Sequence, residues 1–285
     1  MKVYEVIEKV KEYYNGRDED GKKLDSTNTR DRILFGDENQ ECLGIVITCW
    51  ASIDVIKKAV NQGANLIICH EALFWNRGDA TEWLEDAGCE TYIQKRNLLK
   101  ENKIVVWRNH DYVHSGIFTK KNKYEDGIFY GIMKELGWED FLIDNGERTN
   151  FFEIPPISLI KFTKMILGKY NLNGARIVGD KNVNISRVYF CSHIGVDIEN
   201  KLIKYVEKNK VDLLIPFEMI DFTVTEYVQD SSLLNKNIAI LSLGHFNLEE
   251  LGMRYMKKYL KELFPSNMQI SYIQAEDMYD YVTIN

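Results

Sequence analysis

The sequence predicts an α/β fold of two similar three-layer lobes, and three observations predict it. Short apolar runs such as Leu66–Ile68, Ile104–Trp107 and Ile238–Leu243 have the length and composition of buried strands. Amphipathic stretches between them repeat their apolar residues at helical spacing. The order strand, helix, strand also occurs twice with matching landmarks, which makes two βαβαβ lobes the simplest arrangement. Gly44–Glu71 is a strand, Cys49, a turn, a helix and a second strand ending at Glu71, and Arg187–Glu218 repeats that order with Cys191 and Glu218 in the same places. The parallel continues in Ile104–His110 and Ile238–His245, each an apolar strand running into a histidine. Glu153–Pro156 holds two of only four prolines and reads as a boundary or a marked turn. The expected lobes are therefore 1–152 and 153–285, with the helix over 247–264 packing back on the first.

The elements follow in order. Residues 1–15 read as an amphipathic helix carrying Val3, Val6, Ile7, Val10 and Tyr14, closed by Asn15-Gly16. The polar stretch 17–30 reads as a loop, and Ile33–Phe35 and Leu43–Thr48 as strands. Ser52 caps a helix with Ile53, Val55, Ile56, Ala59 and Val60 on its apolar side. Ala80–Lys100 reads as one charged helix, and Tyr124–Leu136 as another that ends at Gly137. Ser158–Gly168, Ile198–Asn209 and Phe222–Asn235 are helical, and Arg176–Gly179, Val188–Cys191 and Asp212–Pro216 are strands. Gly244–Asn247 reads as a turn before a long helix to Phe264, and Ile270–Ile273 as a last strand.

Composition narrows the function. With 45% hydrophobic and 28% charged residues the 285-residue chain can bury a substantial core without disulfides or a structural metal. A net charge of -7 argues against a general nucleic-acid binder. Five cysteines without a CxxC pair indicate neither a disulfide framework nor a zinc knuckle, which fits a reducing, cytoplasmic setting. The first residues are charged throughout and lack an apolar signal core, and no run of about 18 apolar residues exists to span a membrane.

The polar residues that break the apolar pattern are the candidates for chemistry. His70, His110 and His245 each lie just past a buried strand with a carboxylate close in sequence, namely Glu71, Asp111 and Glu249. The carboxyl ends of strands in an α/β sheet are where ligands bind. Mixed His, Asp and Glu donors suit zinc, manganese or iron, and such sites often hold two ions. Glu249 also suits a first helical turn, where backbone N–H groups favour negative charge. The spacing of His110 and His114 would put both on one helical face. Tyr112 and Val113 after a strand, with Ser115-Gly116 beyond, argue against a helix there and leave His114 near the surface. His193, in a glycine-ended turn, is placed to orient a substrate. Cys69 and Cys191 read as small buried hydrophobes. Trp75 is the tryptophan expected near a ligand. Phosphate-binding glycine loops and the G-x-S-x-G nucleophile motif are absent.

These segments resemble the Nif-three-like family, also labelled GTP cyclohydrolase I type 2. Its strand followed by His-His-Pro-Leu-Phe corresponds to His70-Glu71-Ala72-Leu73-Phe74. Its Asn-Leu-Asp with a glycine five residues on corresponds to Asn109-His110-Asp111 with Gly116, and its Gly-His-Tyr-x-x-Glu to Gly244–Glu249. The resemblance runs from about Gly44 to Phe264. It implies a dinuclear metal site in the cleft between the two lobes, often within a ring-shaped hexamer, with His70, Asp111, His245 and Glu249 as ligands. Reading the strand end alone favours His110, whereas the resemblance assigns the ligand role to Asp111. Two departures stand out: Glu71 replaces the second histidine of the first motif, and Trp107 stands where the family often has a histidine. The expected function is that of a dinuclear metal-dependent hydrolase acting on a nucleotide-like, phosphoester or cyclic amide substrate. It would use two divalent ions (zinc, manganese or iron), with Glu71 as ligand or general base. The alternative is a non-catalytic metal-binding or protein-interaction module. A cytoplasmic homo-oligomer, in the form of a hexamer, without nucleic-acid or membrane partners completes the expectation.

Overall fold

The computed structural model describes residues 1–76, 78–144 and 148–282. The chain opens with α1 (Val3–Glu12), β1 (Ile33–Phe35), β2 (Ile45–Ile47), α2 (Ile53–Asn61) and β3 (Leu66–Cys69). Then come α3 (Glu82–Asp86), α4 (Glu90–Glu101), β4 (Val105–Arg108), α5 (Asp111–Ser115), β5 (Ile117–Phe118), β6 (Tyr124–Glu125) and α6 (Gly127–Leu136). A short 3-10 turn at Glu139–Phe141 precedes β7 (Phe151–Ser158), α7 (Leu159–Tyr170), β8 (Arg176–Val178) and β9 (Asn184–Cys191). The chain ends with α8 (Glu199–Asn209), β10 (Leu213–Pro216), α9 (Val224–Leu233), β11 (Ala239–Ser242), α10 (His245–Leu263) and β12 (Ile270–Tyr272). Two compact units result: Met1–Gly131 with Glu250–Ala275, and Ile132–Glu249 with Glu276–Asn285.

In the first unit the sheet runs β1-β4-β3-β2-β12, with β1 antiparallel and the other strands parallel. Every residue of β2, β3 and β4 is buried, as a parallel sheet covered on both faces requires. Val46, Ile67 and Val106 meet Val55, Ile56 and Ala59 of α2 and Leu99 of α4 in one core. Ser52 caps α2, its hydroxyl accepting from the Val55 N–H at 3.2 Å. The buried stripe of α1 is Val3, Val6, Ile7 and Val10, as its spacing predicts. Beyond it the Tyr14 hydroxyl meets that of Tyr259 in α10 at 2.8 Å.

The second unit has the sheet order β7-β9-β10-β11-β8, in which β9, β10 and β11 are parallel and both edges antiparallel. Leu202 and Val206 of α8 and Val224 and Val228 of α9 pack with Leu214 and Ile240. Trp138 lies among Phe152, Phe162 and Phe190, with ring centroids 5.4 to 6.1 Å away. Each unit therefore holds three parallel strands side by side in chain order, joined through helices: β2-β3-β4 and β9-β10-β11. The segments that leave their carboxyl ends gather along one edge of each sheet.

Three local expectations are corrected. The single helix over Ala80–Lys100 is two, because Gly88 takes a left-handed backbone at φ 59° and turns the chain between α3 and α4. The helix expected from Tyr124 starts at Gly127, since Tyr124 and Glu125 pair with β5. Glu153–Pro156 is no turn but the interior of β7, an edge strand whose register against β9 shifts between Glu153 and Ile157. An edge tolerates prolines because their missing N–H interrupts no ladder there. Among the described residues no helix is long and apolar enough to cross a membrane.

Glycines let α6 and α10 approach closely. A Cβ added at Gly252 would meet the Cα and carbonyl oxygen of Ile128 at 2.8 Å, and one at Gly131 would meet the Gly252 Cα at 2.9 Å. Backbone cannot yield as a side-chain tip can, so the clash outweighs alanine's better helix propensity. Gly252→Ala is expected to lower stability by roughly 1–2 kcal/mol net, read as a lower urea midpoint; an unchanged midpoint would show that the crossing has slack.

Candidate functional site

In the first unit three imidazoles converge. Donor atoms of His70, His110 and His114 lie within 4.8 Å of one another. His70 follows β3 and is fully buried. Its Nδ1 lies 3.1 Å from the Asn109 carbonyl oxygen. A carbonyl only accepts, so Nδ1 carries the proton and Nε2 bears the lone pair a metal needs. His114 Nδ1 sits 2.8 Å from the Asp126 carboxylate, which sets the same tautomer. Asp126 also accepts from the Ile128 and Phe129 N–H groups at the start of α6, so it cannot swing freely. His110 stacks on His70 with ring centroids 4.4 Å apart. Burial, then the neighbouring His70, pushes the His110 imidazole down to about 3, so it stays neutral near neutrality, as a ligand must.

The helix that carries this group is made by a remote residue. The buried Asp31 carboxylate accepts from the backbone N–H groups of His110, Asp111 and Tyr112 at 2.7, 3.0 and 2.8 Å. These are donors that a new helix leaves without intrahelical partners. Asp31 thus starts α5 where Tyr112 and Val113 alone would not. This corrects the expectation that the segment is not helical and His114 is peripheral: one turn of α5 brings His114 back to His110 and His70. Asp111 goes a different way. Burial works against its ionisation, but His110, the Arg30 N–H and the Arg30 guanidinium outweigh that and hold its carboxyl well below the usual range. Arg30 Nη2 lies 2.8 Å from one Asp111 oxygen and Arg30 N 2.6 Å from the other, and Thr29 Oγ1 lies 3.1 Å away. Buried Arg108 fixes that loop, donating from Nε to the Arg30 carbonyl at 2.8 Å and pairing with Asp79 at 2.6 Å.

In the second unit His193, Glu218 and His245 follow β9, β10 and β11, and their donor atoms also lie within 4.8 Å of one another. His193 Nδ1 is 2.8 Å from one Glu218 oxygen, while His245 Nδ1 hydrogen-bonds the other. Those two bonds, outweighing partial burial, hold the Glu218 carboxyl down to about 2, so it is ionised throughout the physiological range. His245 is not in a turn: it is the first residue of α10, with Gly244 before it at φ 102°. Its Nε2 lies 3.7 Å from Glu249, which is 2% exposed. Cys69 and Cys191 are buried, and burial pushes both thiols up to about 12, far from the thiolate a nucleophile needs.

The sequence model of the family described as Duf34/NIF3 (NGG1p interacting factor 3) matches residues 1–278. The chain belongs to the Duf34/NIF3 family. A relative from Clostridium perfringens named GTP cyclohydrolase 1 type 2 homolog is 22% identical over 262 residues, 88% of this chain and 90% of the relative. A Staphylococcus aureus protein, SA1388, is 15% identical with a TM-score of 0.68, covering 99% of both chains. A Bacillus cereus protein related to NIF3 is 15% identical with a TM-score of 0.67, again over 99% of both. At such identity the structural likeness shows a shared mixed α/β fold.

Among the residues expected of a Duf34/NIF3 site, His70 stands with His110 and His114, and His245 with Glu218 and His193. Asp111 is engaged by Arg30 beside the first group, and Glu71 leaves β3 with its N–H bonded to the Cys49 carbonyl at 3.0 Å. Arg30, Asp31 and Asp126 were not singled out from the sequence; they are distant along the chain and act through backbone or through another side chain. Neither was Lys95 of α4. It is 1% exposed and donates to the Leu73 carbonyl at 2.7 Å, fixing the segment that follows His70-Glu71. Its ammonium lies 5.5 to 5.6 Å from the rings of Trp50, Phe74 and Trp75. Trp75 itself is 44% exposed with a left-handed φ of 61°.

Burial lowers Lys95 from 10.5 to about 8. The folded value lies below the unfolded one, so across that interval the native state binds fewer protons and stability rises with pH. Lys95→Met should remove that rise. Its stability relative to the wild type is expected to be highest near pH 7 and to fall as pH passes from about 8 to 10.5. Urea denaturation of both proteins at pH 7 and 10 checks this; a constant difference would show that Lys95 keeps its proton.

Proposed function

We propose that this Duf34/NIF3 chain is a divalent-metal-dependent hydrolase holding two ions, one on the donors of each unit. The observation that supports it best is the convergence of His70, His110 and His114, two of them with Nδ1 committed to an acceptor and the third kept neutral by burial. Neutral imidazoles beside ionised carboxylates are the donor chemistry that zinc, manganese and iron take, so the residues fit the ions. In the first unit His70, His110 and His114 would hold an ion, with Asp111 and Glu71 as the carboxylates beside them. In the second, His245 and Glu249 are the family's ligands. Bound ions would supply Lewis acidity and lower the pKa of coordinated water.

The chain's own residues do the rest. Glu71 leaves β3 one residue after His70, and it would serve as ligand or take a proton from water as general base. His193, 54% exposed in its side chain, would orient the substrate. Arg30 offers a fixed positive charge beside His110 that suits an anionic substrate, in keeping with a phosphoester or nucleotide-like compound. The cyclohydrolase in the relatives' names points to a cyclic amide as the other class. A cytoplasmic homo-oligomer is the setting we expect.

Purified without chelators or a histidine tag, the protein is expected to carry a divalent metal by elemental analysis. It should hydrolyse at least one member of a panel of nucleotides, phosphoesters and cyclic amides. His114→Ala should cut metal content and turnover together. Bound metal with no turnover on that panel would leave a binding module, and protein that neither carries nor takes up zinc, manganese or iron would end the proposal.

A further inference from the structure

We infer that Trp75 is a stacking platform that recognises the planar base of a purine nucleotide. The inference deepens the substrate reading above and rests on it only for the phosphate. The base-binding side chain stands apart from every candidate metal ligand.

Trp75 is held in place although 44% of it is exposed. Its φ of 61° is a left-handed backbone that a bulky residue rarely adopts and keeps only where its surroundings impose it. Those surroundings can be named. On one side Lys95 Nζ donates to the Leu73 carbonyl at 2.7 Å. On the other, Asn76 Nδ2 donates to the carbonyls of Phe74 at 3.1 Å and Ala80 at 2.8 Å, while its Oδ1 accepts from the Ala80 N–H at 3.0 Å. Asp79 of the same loop pairs with buried Arg108 through both carboxylate oxygens, at 3.0 and 2.6 Å. Covering the Lys95 ammonium does not account for an indole kept at the surface, since the rings of Trp50 and Phe74 already stand 5.5 and 5.6 Å from it.

The place and the charges select the ligand. Arg108, which holds Asp79, also donates from Nε to the Arg30 carbonyl at 2.8 Å, and the Arg30 guanidinium reaches His110 and Asp111. The loop that carries Trp75 and the loop that carries Arg30 therefore share one buried anchor beside the first histidine group. Arg30 suits a phosphate, and an exposed indole suits a base, because every base has a π-face to stack. Lys95 sharpens the choice of base. Its ammonium lies over the Trp75 ring at 5.6 Å and draws π density towards itself. An indole depleted in this way pairs best with an electron-rich ring, and purines are also the larger bases, so they overlap it most.

The test reads binding, so that it does not depend on turnover. The full chain is titrated with AMP and GMP, and with ribose phosphate as a ring-free control, by calorimetry. Trp75→Leu should weaken AMP and GMP binding about tenfold or more, Trp75→Phe should keep most of it, and Trp83→Phe, at another exposed tryptophan, should leave it at the wild-type value. Fluorine NMR of the chain labelled with fluorotryptophan gives a readout that survives a misfolded Leu variant. The resonance missing from Trp75→Phe should shift with AMP or GMP and stay put with ribose phosphate. Failure of AMP and GMP to bind at millimolar concentration overturns the inference. So does equal binding by wild type and Trp75→Leu, or ribose phosphate binding as tightly as the nucleotides. Base stacking on a chain that hydrolyses nothing counts against the hydrolase reading alone, and hydrolysis of ring-free phosphoesters without nucleotide binding counts against the platform alone.

Discussion

Asp31 is the constraint on which the first centre depends. One buried carboxylate accepts three successive backbone N–H groups at the point where β4 gives way to α5. Bonds of this kind to a charged acceptor contribute about 1.5–3 kcal/mol each. Burial raises the Asp31 carboxyl and its backbone partners oppose that rise, so its hydrogen bonds offset its desolvation rather than add to a surplus. Without the cap the chain after Asn109 has little reason to turn helically. With it, His110 and His114 lie on one face of a single turn, close to His70.

The residues around Asp31 form a hierarchy of supports. Arg108 pins the loop through the Arg30 carbonyl, Arg30 engages Asp111 and His110, and Asp126 fixes His114 while capping α6. Lys95 does the same for the segment beyond Glu71. Arg108, Arg30 and Asp126 are charged groups with several bonds each, and Lys95 is a charged group with one hydrogen bond and three facing rings. A cluster of candidate donors held this way is already ordered, so an ion that bound there would leave little further ordering to be done.

Much of this was legible in the sequence, for a physical reason. The runs 66–69 and 105–107 lie in strands buried on both faces and are apolar throughout, so the histidines that follow them within three residues, His70 and His110, stand out. The repeated strand-helix-strand order placed Glu71 and Glu218 at equivalent strand ends, where the structure has them. The helix α5 was not legible, because its stability comes from a residue about eighty positions earlier rather than from local propensity. The Pro155-Pro156 pair misled for the opposite reason. Proline reports only that an N–H is missing, and an edge strand loses nothing by that. His193 was legible as a polar strand-end residue, but its link to Glu218 depends on pairing that continues past both strands.

The pairing of β12 with β2 has a consequence for how the chain comes to be folded. The first unit is assembled from Met1–Gly131 and Glu250–Ala275, whereas most of the second is one uninterrupted span, Ile132–Glu249. During synthesis β2 therefore waits with an unpaired edge until residues 270–272 have left the ribosome. Over that interval Ile45, Val46 and Ile47, an apolar strand, are a place where a second nascent chain or a chaperone can add a strand. The second unit has all five strands of its sheet by Ser242 and has no such wait.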